Sequence, residues 1–359
     1  MMDQVYKWHY VEKKWKEICA RYGFKEIRTP IFEHTELFQR GVGDTTDIVQ
    51  KEMYTFEDHG GRSITLKPEG TSPAVRAFIE HKQYAEVQPI KLYYDIPCFR
   101  YEKPQSGRLR QFHQFGVETF GTTNMVADAE IIAIGYDFLT SMGVTDLTLE
   151  INSVGCPECR AKHRKALKDF LAPKYDQLCD TCKSRYEKNP MRILDCKSPI
   201  DQELVQGAPM MVDFLCDDCK NAFEDLQKNL DALEIPYVIN PKIVRGLDYY
   251  TKTAFEFVTN SLGAQGTVCG GGRYDNLVEE VGGPPIPGVG FGLGKERLLM
   301  LMEANGVEIP KPSDCDVFIA TMGEAAKLYG QKLLFNLRRN GIKSQIDDLQ
   351  RNFKGQFKY

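Results

Sequence analysis

The chain has 359 residues, 42% of them hydrophobic and 27% charged, so it is long enough to form two or three folded domains. Its net charge of −4 predicts no general affinity for nucleic acid, so any contact with RNA must come from local basic patches. It has no run of about 18 apolar residues and no apolar signal-peptide core at 1–10, which argues against a membrane protein. Many of its 11 cysteines form Cys-x-x-Cys pairs, which indicate metal ligands or free thiols in a reducing cytoplasm.

The first part of the chain has the pattern of a sheet with flanking helices. Apolar residues recur at helical spacing from residue 1 to about residue 22, and Gly23 suits the position just past the end of that helix. Strands at 90–101 and 111–119 flank a basic loop at 102–110 and form a predicted hairpin. The other predicted elements are strands at 24–28, 63–66 and 147–152 and helices at 74–81 and 126–142, with an amphipathic stretch at 33–40.

Residues 155–235 differ from the rest of the chain. They are helix-rich, cysteine-rich and charged, and we interpret them as an insertion. The sheet pattern resumes at 237–244 and 253–259 and ends in a strand-to-helix unit at 288–303.

The end of the chain has the pattern of one βαβ unit. Its strands are predicted at 316–321 and 343–347, with a helix at 325–340 between them. Such a unit is too small to bury its own faces, so we expect a third domain that is cut short at Tyr359.

The predicted hairpin carries the most informative chemistry. Period-two alternation puts Gln114 and Glu118 on one side of the second strand, where Arg100 can join them. A guanidinium there binds phosphate through two hydrogen bonds, while an amide and a carboxylate bind polar groups of a substrate. The loop holds Lys103 and Arg108, a basic patch that suits a nucleic-acid backbone. The alternative, favoured for this block alone, is a solvated hairpin with charged tips.

Three further blocks have weaker patterns. The sequence Arg-Gly-Leu-Asp-Tyr-Tyr at 245–250 offers phenol groups to a flat ring, or forms a buried aromatic pair with a surface ion pair. Gly-Gly-Gly-Arg-Tyr-Asp at 270–275 indicates close approach of the backbone to a ligand, or a plain turn. A glycine-rich strand at 288–294 leads into a helix whose first turns carry Arg297, near the positive helix end that favours phosphate.

Taken together and in this order, these blocks resemble the class II histidyl-tRNA synthetases over nearly the whole chain. Ile-Arg-Thr-Pro at 27–30 is similar to the first, dimer-forming motif of the class, the hairpin to the second and residues 290–299 to the third. The blocks at 245–250 and 270–275 are similar to the two signatures peculiar to the histidine enzymes. The family usually begins with Gly-Thr-x-Asp, which 1–10 does not contain.

The resemblance implies an α+β fold, in which an antiparallel class II synthetase sheet has flanking helices and a helical insertion. It also implies a truncated C-terminal α/β domain that binds the anticodon. The predicted boundaries are 1–154 for the first part of the catalytic domain, 155–235 for the insertion, 236–306 for the second catalytic part and 313–359 for the partial anticodon-binding domain.

The implied reaction is activation of L-histidine with ATP and Mg²⁺ to histidyl-adenylate and pyrophosphate, followed by transfer of histidine to tRNA(His). The implied assembly is a cytoplasmic homodimer, formed through residues 28–40, with no membrane contact. Such catalysis is mainly positioning and charge stabilisation, so arginines and Mg²⁺ should dominate.

The resemblance also assigns a role to individual residues. Arg100 and Arg245 would hold the α-phosphate of ATP and Arg297 the γ-phosphate, and Phe112 would stack on adenine. A buried carboxylate and phenol that need imidazole partners would reject apolar isosteres, because those would leave them unpaired. By the same resemblance, the α-ammonium group of histidine would be held by Glu69, Thr71 and Gln114, with Tyr274 nearby. The imidazole would be bound by Glu118 and Tyr250, with Tyr249 as a wall of the pocket. The acceptor end of tRNA would contact Lys103, Gln105 and Arg108.

Three Cys-x-x-Cys turns begin at Cys156, Cys179 and Cys216, and Cys196 lies between the last two. Two such pairs at this separation fit a tetrahedral structural zinc site with thiolates about 2.3 Å from the ion. The alternative is free thiols at helix ends in a domain that clamps tRNA. The predicted Zn²⁺ ligands are Cys156, Cys159, Cys179 and Cys182.

Two other functions compete with the enzyme. The first is a catalytically silent paralogue that binds histidine and acts as a regulatory subunit of ATP phosphoribosyltransferase. Such paralogues often lose the second arginine, whereas Arg245 and Arg297 are both present here. The second is a domain that binds tRNA without catalysis, which Arg100, Arg245 and Glu118 argue against.

Overall fold

The structure analysed is a computed structural model. It describes residues 3–43, 46–103, 105, 107–196, 198–244, 246–259, 261 and 266–358. The chain forms two compact units, Trp8–Glu308 and a smaller unit that combines Met1–Lys7 with Ile309–Tyr359. Within the described ranges, no helix is both long and apolar enough to cross a membrane.

The larger unit is built on one eight-stranded sheet and a three-stranded sheet. Its strands are β1 (Lys25–Glu26), β2 (Phe32–His34), β3 (Tyr54–Glu57), β4 (Ser63–Leu66), β5 (Ile90–Phe99), β6 (Gln111–Phe120), β7 (Thr148–Ser153), β8 (Val238–Ile239), β9 (Thr251–Val258), β10 (Thr267–Arg273) and β11 (Gly288–Gly294). The large sheet has the order β1-β5-β6-β11-β10-β9-β7-β8, and β2-β4-β3 form the small one. All central pairs of the large sheet are antiparallel. At its edges, β1 pairs in parallel with β5 and β8 pairs in parallel with β7.

Helices flank the sheet and fill the region between β7 and β8. They are α1 (Val5–Arg21), α2 (Thr35–Val42), α3 (Thr71–Glu80), α4 (Met125–Ser141), α5 (Pro157–Leu171), α6 (Asp180–Lys188), α7 (Pro199–Leu204), α8 (Asp217–Ala232), α9 (Leu277–Glu280) and α10 (Lys295–Ala304). Shorter 3₁₀ segments lie at Gln83–Ala85, Ala172–Gln177, Pro190–Ile193 and Met211–Phe214, and a π-helical turn at Ile48–Glu52. The predicted α+β fold is confirmed, while the domain boundaries given above remain predictions.

The first helix shows how the core is assembled. Val11, Trp15 and Ile18 repeat at helical spacing and are all buried. The indole of Trp15 stacks on Phe115 of β6 with 5.1 Å between ring centres, and its Nε1–H donates to the carbonyl of Tyr94 at 3.2 Å. This hydrogen bond satisfies the polar atom of a fully buried ring, so the helix can seal one face of the sheet.

For two of the predicted elements, the structure shows why their bounds differ from the prediction. The strand expected at 237–244 is shortened to β8, because Pro241 has no N–H to continue a ladder and the Asn152 amide binds the carbonyls of Pro241 and Ile243 instead. The helix expected at 74–81 begins earlier, at Thr71, because the Glu69 carboxylate accepts the N–H groups that start it.

The smaller unit contains the predicted βαβ arrangement. Strands β12 (Val317–Ile319) and β13 (Ser344–Ile346) pair in parallel, and α11 (Glu324–Arg339) connects them. A short helix, α12 (Phe353–Gln356), follows, and the Gln356 amide bonds both the N–H and the carbonyl of Thr321.

Candidate active site

A cavity of about 300 Å³ opens beside β6, β10 and β11 and gathers most of the predicted site residues. Those that line it are Glu69, Thr71, Arg100, Arg108, Phe112, Gln114, Tyr249, Tyr250 and Arg297. Glu118 and Tyr274 are buried next to these residues, whereas Lys103 and Gln105 are exposed on the hairpin loop. Arg245 lies outside the described residues.

Glu118 is the polar centre of this region. Its side chain is fully buried on β6 and accepts hydrogen bonds from three hydroxyl groups. Thr71 donates at 2.8 Å, Tyr94 donates at 2.9 Å, and Tyr274 donates to the other carboxylate oxygen. Burial raises the pKa of Glu118 to about 8, although these three donors oppose the rise. The carboxylate is therefore held rigidly by donors from three separate parts of the chain.

The glycine-rich strand β11 makes room for these side chains. Gly290 faces Glu118 across the strand pair, and a Cβ at that position would lie 1.9 Å from Glu118 Oε2. A Cβ at Gly292 would lie 2.3 Å from Gln114 Nε2. Since residues two apart on a strand share a face, alternate glycines leave a flat floor under the carboxylate and the amide.

Glu69 and Gln114 are fixed at the cavity wall by backbone groups. The Glu69 carboxylate accepts the N–H groups of Thr71 at 2.7 Å and Ser72 at 2.9 Å. Gln114 Oε1 accepts the N–H of Gly70 at 3.0 Å, which leaves its NH₂ group as a donor. A carboxylate has about four lone-pair sites, so Glu69 keeps acceptor capacity for a cationic group in the cavity.

Three guanidinium groups, those of Arg100, Arg108 and Arg297, line another part of the cavity, where the Glu102 carboxylate pairs with the first two. Arg100 donates from Nε to the carbonyl of Pro68 at 2.8 Å and lies 5.2 Å from the ring centre of Phe112. Arg297 donates to the carbonyl of Thr267. Burial, followed by the charges of Arg108 and Arg100, lowers the pKa of Arg297. Positive charges held together in this way suit a polyanionic ligand.

Tyrosine rings form the wall between these groups. The ring centres of Tyr249 and Tyr250 are 4.6 Å apart, and those of Tyr249 and Tyr274 are 5.6 Å apart. Burial raises the pKa of Tyr249 and Tyr274 well above their usual value, so both remain neutral hydroxyl donors. The residue before Tyr274 has a structural role, because Arg273 is fully buried and pairs with Asp128 of α4.

Comparison with known proteins gives this arrangement a family. The family model described as Histidyl-tRNA synthetase matches residues 2–298. A histidine–tRNA ligase of Caldanaerobacter subterraneus subsp. tengcongensis is 62% identical over 357 residues, which are 99% of this chain and 86% of that protein. The chain belongs to the histidyl-tRNA synthetase family.

Solved structures agree with the membership of this family. The crystal structure of apo S. aureus histidyl-tRNA synthetase is 44% identical, with a TM-score of 0.84, and the match covers all of this chain and 85% of that one. A Bacillus halodurans structure titled as an ATP phosphoribosyltransferase regulatory subunit/histidyl-tRNA synthetase has a TM-score of 0.68 over 98% of this chain and 92% of that one. At 22% identity, that likeness shows a shared fold alone.

Tyr94 and Glu296 are among the residues of the site that the sequence analysis missed. Tyr94 lies opposite Gly116 in the β5–β6 hairpin, and its hydroxyl reaches Glu118 because Gly116 has no Cβ to block the ring. Glu296 lines the cavity, and its carboxylate accepts the backbone N–H of His113 at 2.9 Å. The register of the predicted hairpin would have identified the tyrosine, since it places a large ring directly across from a glycine.

The loop that carries the tyrosine pair also contacts the segment between β7 and β8. The Asn189 amide donates to Asp248 Oδ1 at 2.9 Å, and Arg160 donates to the Asp248 carbonyl at 3.4 Å. A second cavity, of about 420 Å³, lies beside these contacts and is lined by Tyr250 and the basic side chains of Arg160, Arg164 and Lys188. The position of Tyr250 is thus linked to the segment that we interpret as an insertion.

The cysteines group differently from the prediction. Cys156 and Cys159 lie with Cys216 and Cys219, whereas Cys179 and Cys182 lie with Cys196 and Asp201. In each group the potential ligand atoms are within 4.8 Å of one another. The predicted quartet of Cys156, Cys159, Cys179 and Cys182 is therefore wrong, because the start of α5 packs against the start of α8 and not against α6.

Proposed function

We propose that the protein activates L-histidine with ATP and transfers the histidine to tRNA(His). The observation that carries the proposal is one cavity in which three guanidinium groups lie close to a polar pocket of buried carboxylate and phenols. The first feature suits a triphosphate and the second suits a small ligand with several polar atoms. The name of the 62% identical relative, histidine–tRNA ligase, supports the same reaction.

In this proposal the histidine binds at the end of the cavity next to Glu118. Glu69, Thr71 and Gln114 hold its α-ammonium group, with the Tyr274 hydroxyl nearby. Glu118 and Tyr250 bind the imidazole nitrogens, and Tyr249 forms the wall. The buried carboxylate accepts from an imidazole N–H, and an apolar side chain of similar size would leave it without that partner.

ATP binds at the arginine end. Arg100 and Arg245 stabilise the α-phosphate, Arg297 stabilises the γ-phosphate, and Phe112 stacks on adenine. Mg²⁺ bound with the phosphates would supply positive charge that stabilises the pyrophosphate group. The carboxylates of Glu102 and Glu296 line the same cavity and offer the oxygen ligands that this ion prefers.

The chemistry follows from holding the two substrates in line. A carboxylate oxygen of histidine attacks the α-phosphorus, the bond to the β-phosphate oxygen breaks, and pyrophosphate leaves. The terminal ribose hydroxyl of tRNA then attacks the carbonyl carbon of the adenylate, and AMP leaves. Positioning and charge stabilisation by the arginines account for the rate, in the manner of other phosphoryl-group chemistry.

The tRNA, the second protomer and the zinc complete the proposal. Lys103, Gln105 and Arg108 on the hairpin loop meet the acceptor end of tRNA(His). A homodimer forms through residues 28–40, and the enzyme works in the cytoplasm, where its cysteines stay reduced. Any Zn²⁺ is structural and is held by the cysteines outside the catalytic cavity.

The competing function is regulation of ATP phosphoribosyltransferase by a silent paralogue. It requires histidine binding alone, and the arginine cluster of Arg100, Arg108 and Arg297 in the same cavity favours the enzyme. The test is aminoacylation of purified tRNA(His) with radiolabelled histidine, ATP and Mg²⁺. We expect charging of tRNA(His) and none of tRNA(Phe). Histidine binding in calorimetry with no charging would favour the regulatory subunit.

A further inference from the structure

Two Cys-x-x-Cys turns meet at the base of the segment between β7 and β8. Cys156 directly precedes α5, and Cys216 directly precedes α8. The other two cysteines of these turns are Cys159 and Cys219. All four sulfur atoms lie within 4.8 Å of one another. The two turns are thus brought together from positions 60 residues apart.

The distances between the sulfurs are those of a metal site. Cys156 Sγ lies 3.5 Å from Cys159 Sγ and 3.9 Å from Cys216 Sγ. Four thiolates about 2.3 Å from a tetrahedral zinc ion are about 3.8 Å from one another. A disulfide requires about 2.05 Å, and every cysteine in the described part of the chain is free.

The surrounding backbone holds the sulfurs in these positions. The N–H of Cys216 donates to Cys159 Sγ at 3.1 Å, which is the kind of bond that orients and stabilises a thiolate ligand. Gly155 has a φ of +65°, and a Cβ there would lie 2.6 Å from Cys159 Cβ. The chain therefore enters the cluster through a conformation that favours glycine.

We propose that Cys156, Cys159, Cys216 and Cys219 bind one structural Zn²⁺. The ion joins the first turn after β7 to the helix that leads back to β8, and so fixes both ends of the intervening segment to the sheet. Binding releases the protons of the thiols that ionise and closes a loop that the unfolded chain leaves open. The site is separate from the cavity proposed for catalysis.

A second group, inside the same segment, carries an independent proposal. Cys179, Cys182, Cys196 and the fully buried carboxylate of Asp201 also lie within 4.8 Å of one another. Asp201 accepts the N–H of Cys179 at 3.0 Å and the thiol of Cys196 at 3.1 Å. Three sulfurs and one oxygen form a ligand set that zinc accepts, and we infer a second Zn²⁺ here.

Metal analysis of the full chain tests both sites. The chain is purified under reducing conditions from zinc-supplemented medium, and its metals are counted by plasma mass spectrometry. We expect two zinc ions per chain, one after Cys216→Ser with Cys219→Ser, and one after Cys179→Ser with Cys196→Ser. Cys315→Ser is the matched control, because this cysteine belongs to neither group, and it should keep both ions.

Each outcome decides one site. If the unchanged chain held one ion and only Cys216→Ser with Cys219→Ser lost it, the second site would be overturned. If only Cys179→Ser with Cys196→Ser lost that ion, the first site would be overturned. A metal-free chain that does not take up zinc on reloading, or a mass two daltons lower per pair from disulfide formation, would overturn the site concerned.

Cobalt reconstitution keeps the test valid if a variant does not fold. The unchanged chain is stripped with a chelator under reducing conditions and loaded with Co²⁺. Strong visible bands and sulfur-to-cobalt charge transfer are expected for tetrahedral thiolate ligation, and the weak spectrum of hydrated Co²⁺ would contradict it. These readouts use no histidine, ATP or tRNA, so they stand or fall separately from the proposed reaction.

Discussion

The Glu118 pocket and the cysteine group at Cys156 both gather polar side chains away from water, but they satisfy those side chains differently. Glu118 already accepts three hydroxyl donors from α3, β5 and the residue after β10. The four sulfurs of the cysteine group face one another at distances too long for disulfides and suited to a shared ion. Hydroxyl groups of the protein therefore satisfy Glu118, whereas the cysteine group offers the ligands of the Zn²⁺ proposed above.

The largest effect is expected from a substitution at Glu118 itself, compared with one at a carboxylate elsewhere on the same sheet. Glu118→Gln should lower kcat/KM for histidine in pyrophosphate exchange by about a thousandfold, or about 4 kcal/mol, because the amide replaces one acceptor oxygen with an NH₂ group that faces hydroxyl donors. Glu150→Gln is the matched control, since Glu150 is a carboxylate of the same sheet that bonds Asn240. Equal activity of both variants would remove Glu118 from the centre of the pocket.

The next effect tests the floor of the pocket. Gly290→Ala puts a Cβ against Glu118 and should raise KM for histidine about 30-fold, since overpacking costs about 2 kcal/mol. In Gly294→Ala, on the same strand, the new Cβ meets Arg297 Cβ at an ordinary 3.7 Å. This control should keep both the KM for histidine and the melting temperature of the unchanged chain. If both variants behaved alike, the glycine floor would have no specific role.

The pH dependence of stability tests the burial of the carboxylate. Because the pKa of Glu118 is about 8 in the folded chain and near 4.5 otherwise, the folded state retains a proton that the unfolded state loses. Stability from this group is therefore highest below pH 4.5 and falls as the pH rises to 8, by at most about 1.4 kcal/mol per pH unit. Urea unfolding from pH 5.5 to 8 should show this fall, less steeply in Glu118→Gln; identical slopes would contradict it.

The smallest effect tests how far the pocket depends on the segment between β7 and β8. Asn189→Ala removes the hydrogen bond to Asp248 in the loop that carries Tyr249 and Tyr250. The loss of about 1 kcal/mol should raise KM for histidine about fivefold, measured in the same exchange assay. Asn229→Ala is the control and should leave KM unchanged, because the Asn229 amide bonds the Asp225 carbonyl within α8. An unchanged KM in Asn189→Ala would mean that the loop does not depend on this contact.

These regions also differ in what the sequence could reveal. Strand alternation is local, so the hairpin and the shared side of Gln114 and Glu118 could be predicted from spacing. The aromatic partner Tyr94 was missed because its role depends on the register between the two strands, which sets it opposite Gly116, and alternation within one strand does not give that register. The partner of the turn at Cys156 lies 60 residues away, and packing of helix against helix decides which of two later turns it meets.

The capping role of Glu69 was also missed, although it involves residues close in sequence. Its carboxylate starts α3 three residues before the predicted helix, through bonds to Thr71 and Ser72. The sequence indicated a site residue there through family resemblance, but the bond geometry that fixes the side chain follows from the fold.

The central claim is that a pocket selecting histidine lies next to a phosphate-binding arginine cluster. The most direct test is ATP–pyrophosphate exchange with each of the 20 amino acids in turn. We expect exchange with histidine and none above background with the others, phenylalanine and glutamine included. Exchange with another amino acid, or none with histidine while histidine still binds in calorimetry, would contradict the account.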